Sequence, residues 1–268
     1  MRLKLELECK PNATLGLNYM YALQAVIYKV LERADPEFSQ WLHNKGYDAT
    51  GKNFKFFTFD ILDTPERDRH IDKIKNTIRF INGRITWQVS FCVDEQMEKF
   101  VIGLFKNQKL EVVTSDGRAD FTVVGVEILE KPVFTSTMRF RTYTPICIAE
   151  KTETDKYQQY RSPLDVNFEK YFFANLENKF KTLNAITSTG DANEVLLKPI
   201  FKLLSKPYSK KISVFKKDNP KPTDTIGYEF DFEITALPEF LRIGYFAGFG
   251  VKNSSGFGFC EILKNGKI

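Results

Sequence analysis

The chain has 268 residues, 43% of them hydrophobic, which suits one large domain or two of ordinary size around a substantial core. Its 39 basic and 34 acidic side chains leave a net charge of +5, a balance that admits a nucleic-acid partner without requiring one. Four scattered cysteines with no Cys-x-x-Cys spacing give a cysteine zinc site little support, and no apolar run approaches the ~20 residues of a spanning helix. The expectation is a reduced, cytoplasmic protein that meets no membrane. Its opening residues alternate like a strand and do not resemble a secretion signal.

Residues 2–9 place Leu3, Leu5, Leu7 and Cys9 on one face, the alternation of a half-buried strand. Pro11 to Thr14 read as a loop. From Leu17 to Glu32 the apolar spacing is helical, with Tyr21, Ala25, Tyr28 and Leu31 on one stripe. Asp35-Pro36 closes this helix, and Pro36 to His43 fits a second, short one. Lys52 to Leu62 carries Phe54, Phe56, Phe57 and Phe59 and reads as a strand. Asp63 to Lys75 is a charged connection. Asn76 to Val93 holds two strand-like runs around Asn82-Gly83-Arg84, a hairpin signal. A helix over 94–104 and strands over 109–114 and 119–129 complete a β-α-β-β-α-β order, that of a ferredoxin-like unit.

A similar order begins again at Lys131. Strand-like residues 132–149 precede a polar loop from Lys151 to Ser162 and a helix from Leu164 to Leu183. Strands are expected at 194–204, 210–217 and 226–236, then a short helix from Leu237 to Gly244 and a last strand at 256–263. The expected fold is therefore α+β: two tandem ferredoxin-like (RRM-like, βαββαβ) domains, 1–130 and 131–268, with a boundary near Glu130 and a C-terminal glycine-rich loop.

That loop is Gly248-Phe249-Gly250-Val251-Lys252-Asn253-Ser254-Ser255-Gly256-Phe257-Gly258. Two Gly-Phe-Gly triplets flank a polar tip that holds one lysine. Glycine permits positive φ and close approach of a ligand, so backbone amides and a cation together suit an anionic backbone such as RNA. A glycine-rich hairpin packed by its aromatics is the competing explanation from these residues alone.

Tandem ferredoxin-like units ending in this loop resemble the CRISPR repeat-processing endoribonucleases of the RAMP (repeat-associated mysterious protein) superfamily. Tyr21 to Tyr28 is similar to that family's first helix, Trp41-Leu42-His43 to the segment carrying its histidine, and Phe54-Lys55-Phe56-Phe57-Thr58-Phe59 to the strand that follows. The resemblance implies cleavage of CRISPR repeat RNA in a precursor transcript, without a metal or cofactor, leaving a 2′,3′-cyclic phosphate and a 5′-hydroxyl. It also raises CRISPR effector-complex subunits and a second copy of the chain as partners. A non-catalytic RNA-binding RAMP subunit and a small-ligand-binding ferredoxin-like protein are the alternatives.

The cleavage chemistry needs a base for the 2′ proton, an acid for the leaving 5′ oxygen and a cation for the extra negative charge. By the resemblance Tyr28, His43 and Lys55 are the candidate catalytic residues, with Lys52 a rival to Lys55. His43 alone would read as a capping or surface histidine, Tyr28 as a core aromatic and Lys55 as an edge-strand cation. His70 lies in a charge-rich segment and reads as solvated. Gly248, Gly250, Lys252, Asn253, Ser254, Gly256 and Gly258 are the expected RNA-binding loop, joined by Lys52, Arg139 and Arg141. Lys210-Lys211 and Lys216-Lys217, in a basic stretch from Lys206 to Lys221, are further phosphate contacts to weigh. No set of carboxylates and histidines has metal-ligand spacing.

Overall fold

The computed structural model describes residues 1–150, 158–187, 198–216 and 219–263. Lys217, most of the polar loop's first half (151–157) and the start of the strand expected at 194–204 lie outside the described residues.

The chain folds as two units, and a single cut at Glu130 does not divide them. Residues 45–58 group with the second unit, which resumes at Pro132. The first unit runs β1 (Arg2–Cys9), β2 (Ala13–Gly16), α1 (Met20–Ala34), α2 (Pro36–Asn44), β3 (Phe57–Phe59), β4 (Arg69–Asp72), β5 (Thr77–Phe80), β6 (Arg84–Phe91), α3 (Asp94–Lys106), β7 (Lys109–Thr114) and β8 (Gly117–Ile128). Its sheet has the order β3-β6-β1-β8-β2-β5-β4, with β7 also on β8. The four strands β3-β6-β1-β8 give the antiparallel ferredoxin-like arrangement.

Register follows burial. Leu3, Leu5 and Leu7 of β1 sit opposite Val89, Trp87 and Ile85 of β6, and all six are buried. The pairing keeps every large apolar side chain on the helical side, each contributing about 1.5–3 kcal/mol relative to exposure. The same pattern removes the expected hairpin at Asn82-Gly83-Arg84. β6 pairs with β1, whereas β5 pairs with β2 and β4. Residues 13–16, expected in a loop, form β2. Lys52 to Leu62, expected as one strand, is a strand only at Phe57–Phe59, preceded by an isolated bridge between Tyr47 and Phe54.

The second unit contains β9 (Thr137–Thr142), β10 (Ala149–Glu150), β11 (Gln159–Tyr160), α4 (Phe168–Thr187), β12 (Ile200–Leu203), β13 (Tyr208–Lys216), β14 (Asn219–Glu229), β15 (Asp231–Thr235), α5 (Pro238–Ala247) and β16 (Cys260–Ile262). Its sheet, β12-β15-β9-β16, repeats the ferredoxin-like order, and β13-β14 form a separate hairpin between β12 and β15. The strand expected at 226–236 is broken at Phe230, where the chain leaves that hairpin for the sheet. Phenylalanines fill the core: Phe172 stacks on Phe249 with centroids 5.7 Å apart and planes 10° from parallel. Phe140 and Phe232 stack at 5.5 Å beside them. Among the described residues no helix is long and apolar enough to cross a membrane.

Candidate nucleic-acid interface

In the first unit, the junction of α1 and α2 places His43. Asp35 accepts the Phe38 amide at 2.9 Å, capping α2, and accepts Lys99 Nζ at 2.7 Å from α3. That lysine and the two amides hold the Asp35 carboxyl below the usual carboxylate range, with the Lys99 hydrogen bond the larger cause. Ser39 Oγ donates to the Tyr28 carbonyl at 2.9 Å, tying α2 back onto α1. The last turn of α2 then presents His43 to solvent. Its ring meets the buried Tyr28 ring edge to face, with centroids 4.9 Å apart and planes at 79°. Its Nδ1 lies 3.1 Å from Asn44 Oδ1. Tyr28 and His43, singled out by resemblance, are thus in contact, and Tyr28 is placed to orient the imidazole.

In the second unit, the glycine loop is held from within. Lys179, on the buried face of α4 and only 2% exposed, donates from Nζ to Gly248 O at 2.6 Å, Gly250 O at 2.9 Å and Asn253 Oδ1 at 2.8 Å. Asn253 Nδ2 donates to Phe249 O and Phe257 O, each at 3.0 Å. Asn253, expected to contact RNA, is therefore turned into the protein. Gly258 closes the loop at φ 75°, where a Cβ would lie 2.0 Å from Phe249 O, so only glycine fits. Lys252 at the tip has a left-handed backbone and donates to Thr225 Oγ1 at 2.8 Å and Tyr160 Oη at 3.2 Å. Gly256 follows as the C-cap of a single 3-10 turn, Asn253–Ser255.

Beside the loop opens a cavity of about 400 Å³, lined by Lys52, Phe54, Lys55, Gly250, Lys252 and Ser254 among others, with Lys179 at its base. No carboxylate lines it among the described residues. Lys52 is exposed and Lys55 half-buried. Burial pushes the Lys55 amine below the ordinary lysine value, because removal from water disfavours the charged form. Lys55 Nζ lies 3.2 Å from where a Cβ on Gly46 would sit, so glycine there leaves room for the ammonium. Concentrated cations facing a concave surface without acidic neighbours attract a polyanion.

Arg139 and Arg141 are not brought to this cavity. Both project from the open face of β9, where Arg139 Nε bonds Glu233 at 2.7 Å and Arg141 grips Asp231 through Nε at 2.9 Å and Nη2 at 2.7 Å. Lys210 and Lys211 on β13 likewise pair with Glu229 at 3.0 Å and Asp224 at 3.2 Å. Sequence reasoning missed Lys179. Its signal was present: Phe172, Leu176, Lys179 and Leu183 share one helix face, and a lysine at a core position needs oxygen partners.

Two family models match the chain. "CRISPR-associated protein Cas6, N-terminal" covers residues 14–127, and "CRISPR associated protein Cas6, C-terminal" covers residues 129–262. The chain belongs to the Cas6 family. The CRISPR-associated endoribonuclease Cas6 1 of Methanocaldococcus jannaschii is 28% identical over 258 residues, which are 96% of this chain and 91% of that one. The CRISPR-associated endoribonuclease Cas6 of Pyrococcus furiosus is 26% identical over 251 residues, 92% of this chain and 83% of its own. A solved structure described as the characterization of a Cas6-related gene from Pyrococcus furiosus shares the fold, with a TM-score of 0.78 over 99% of both chains at 21% identity. Both ferredoxin-like units therefore fall within Cas6 regions, and neither is an appended domain.

Proposed function

We propose that this Cas6-family chain is the endoribonuclease that cleaves CRISPR repeat RNA within the precursor transcript to release guide RNAs. The observation that carries this is the convergence of Lys52, Lys55 and Lys252 with the glycine loop on one carboxylate-free cavity. Such a cavity suits a phosphodiester backbone better than a neutral ligand or a duplex groove.

In the proposed reaction, the ribose 2′-oxygen attacks its neighbouring phosphorus while its proton passes to a base. The bond from phosphorus to the 5′ oxygen breaks, and that oxygen takes a proton from an acid. The products are a 2′,3′-cyclic phosphate and a 5′-hydroxyl, and the chain supplies no nucleophile. His43 is exposed, titrates near neutrality as a residue type and serves as acid or base. Tyr28 holds its ring. Lys55 stabilises the charge that builds on the phosphoryl oxygens, where a desolvated ammonium acts more strongly than a hydrated one. Lys52, Lys252, Ser254 and the glycine backbone hold the RNA strand. Arg139 and Arg141 contribute less, since each is already bonded to a carboxylate.

The deciding experiment compares the wild-type chain with His43→Ala on cognate repeat RNA. Wild type is expected to yield cyclic-phosphate ends, and His43→Ala to cut roughly 100-fold to 10,000-fold more slowly with RNA binding retained. Wild type that binds the RNA but cuts it no faster than the variant would leave a non-catalytic RNA-binding subunit. Wild type that shows no salt-dependent affinity for the RNA would point to a small-ligand protein.

A further inference from the structure

We infer that Lys179 is a positioning residue for RNA capture, setting the Gly248–Gly258 loop in the shape that faces the lysine-lined cavity. The inference rests on the loop being an RNA contact, as proposed above. A lysine buried on a helix face among phenylalanines is costly unless its ammonium finds oxygen atoms. Here the three donors of one Nζ meet three acceptors of one loop: Gly248 O, Gly250 O and Asn253 Oδ1. Asn253 passes the restraint onward through Nδ2 to Phe249 O and Phe257 O. Four loop carbonyls are thereby drawn inward by two side chains.

The consequence reaches the outer surface. With Gly248, Phe249, Gly250 and Phe257 fixed by their carbonyls, the polar tip between them has little freedom. Lys252 keeps its left-handed backbone at φ 61°, and Ser254 stays on the cavity wall. A loop without these bonds would sample many shapes and lose the ordering entropy only on binding RNA, which weakens affinity. The ammonium also sits at the base of the same cavity, so its charge lies beneath the expected phosphate path. A point-like cation with three donors suits converging carbonyls better than a planar guanidinium does.

The test measures kcat and KM for repeat RNA cleavage by wild type, Lys179→Met and Asn253→Ala, each well below its own melting temperature. Both variants are expected to raise KM on the order of tenfold, a loss of roughly 1.4 kcal/mol of binding, with kcat within about threefold of wild type. A merely structural lysine would lower the melting temperature and leave KM unchanged, and that result overturns the inference. A fall in kcat at constant KM overturns it too, because the loop would then act on the chemical step. If Lys179→Met does not fold, Asn253→Ala decides alone: an unchanged KM refutes the positioning role. Wild type that neither binds nor cuts repeat RNA refutes the proposed function itself, and this inference with it.

Discussion

At the scale of single residues, Phe56 holds a left-handed backbone, φ 54°, which a bulky side chain adopts at a cost of about 1–3 kcal/mol. The strain sits next to Lys55, and the Phe56 ring is anchored by Tyr47 at 5.6 Å and Phe54 at 5.5 Å. This turn ends the extended run early and keeps Lys55 on the cavity. Burial lowers the Lys55 pKa, so the sign of its pH effect is fixed. The ammonium is the useful form, present below the depressed pKa and lost as pH rises through it. Cleavage should therefore fall at high pH earlier than an ordinary lysine would dictate. In Lys55→Ala that alkaline limb should disappear and kcat should drop on the order of 100-fold; a pH-rate profile with the limb intact would remove Lys55 from the chemistry. Lys55 was legible because one cation among four phenylalanines needs a reason. The choice over Lys52 needed the fold, which buries one and exposes the other. Asn253 was misread for a related reason: a polar residue in a glycine loop looks like a ligand contact, but loop carbonyls turned inward need a donor.

At the scale of elements, the order of strands and helices was largely readable, because Leu3, Leu5 and Leu7 alternate and the helices keep their 3- and 4-residue spacing. Pairing was not readable. Asn82-Gly83 is a local turn signal, and the buried pairs between β1 and β6 overrode it. The open face of β9 and β15 carries Arg139, Arg141, Asp231 and Glu233, already bonded across the strands, and no aromatic ring. It is therefore a poor platform for stacking bases, unlike the sheet of an RNA recognition motif. Arg141→Ala should change the RNA dissociation constant by less than about threefold, while Lys252→Ala should weaken it more, in filter binding at fixed salt. Equal losses would return the sheet face to the RNA path. The glycine loop is the least tolerant element. Gly258→Ala meets Phe249 O at 2.0 Å in a disfavoured backbone, so it should destabilise the chain by about 1–3 kcal/mol, read as a lower melting temperature. A variant melting with wild type would show that the loop relaxes without cost.

At the scale of the whole molecule, a net charge of +5 is too small for RNA to be held by charge everywhere, so affinity must come from where the cations gather. Many surface arginines and lysines are spent on carboxylates, as Arg139, Arg141, Lys210 and Lys211 are. The cavity beside the glycine loop gathers Lys52, Lys55 and Lys252 with no acidic residue in its lining among the described residues. Each lysine that neutralises a phosphate of single-stranded RNA adds about 0.7 to the slope of log affinity against log salt, so these three should account for a slope near ~2. The Lys52→Ala, Lys252→Ala double variant should then lose roughly 1.4 of that slope, and duplex DNA of equal length should not show the same dependence. A double variant with the wild-type slope would mean that phosphates are met elsewhere on the chain. Cleavage is expected to persist in excess EDTA, because the proposed acid, base and cation are all side chains. Activity lost in EDTA and restored by Mg²⁺ would overturn that mechanism while leaving the salt slope untouched, so the two measurements separate how the RNA is held from how it is cut.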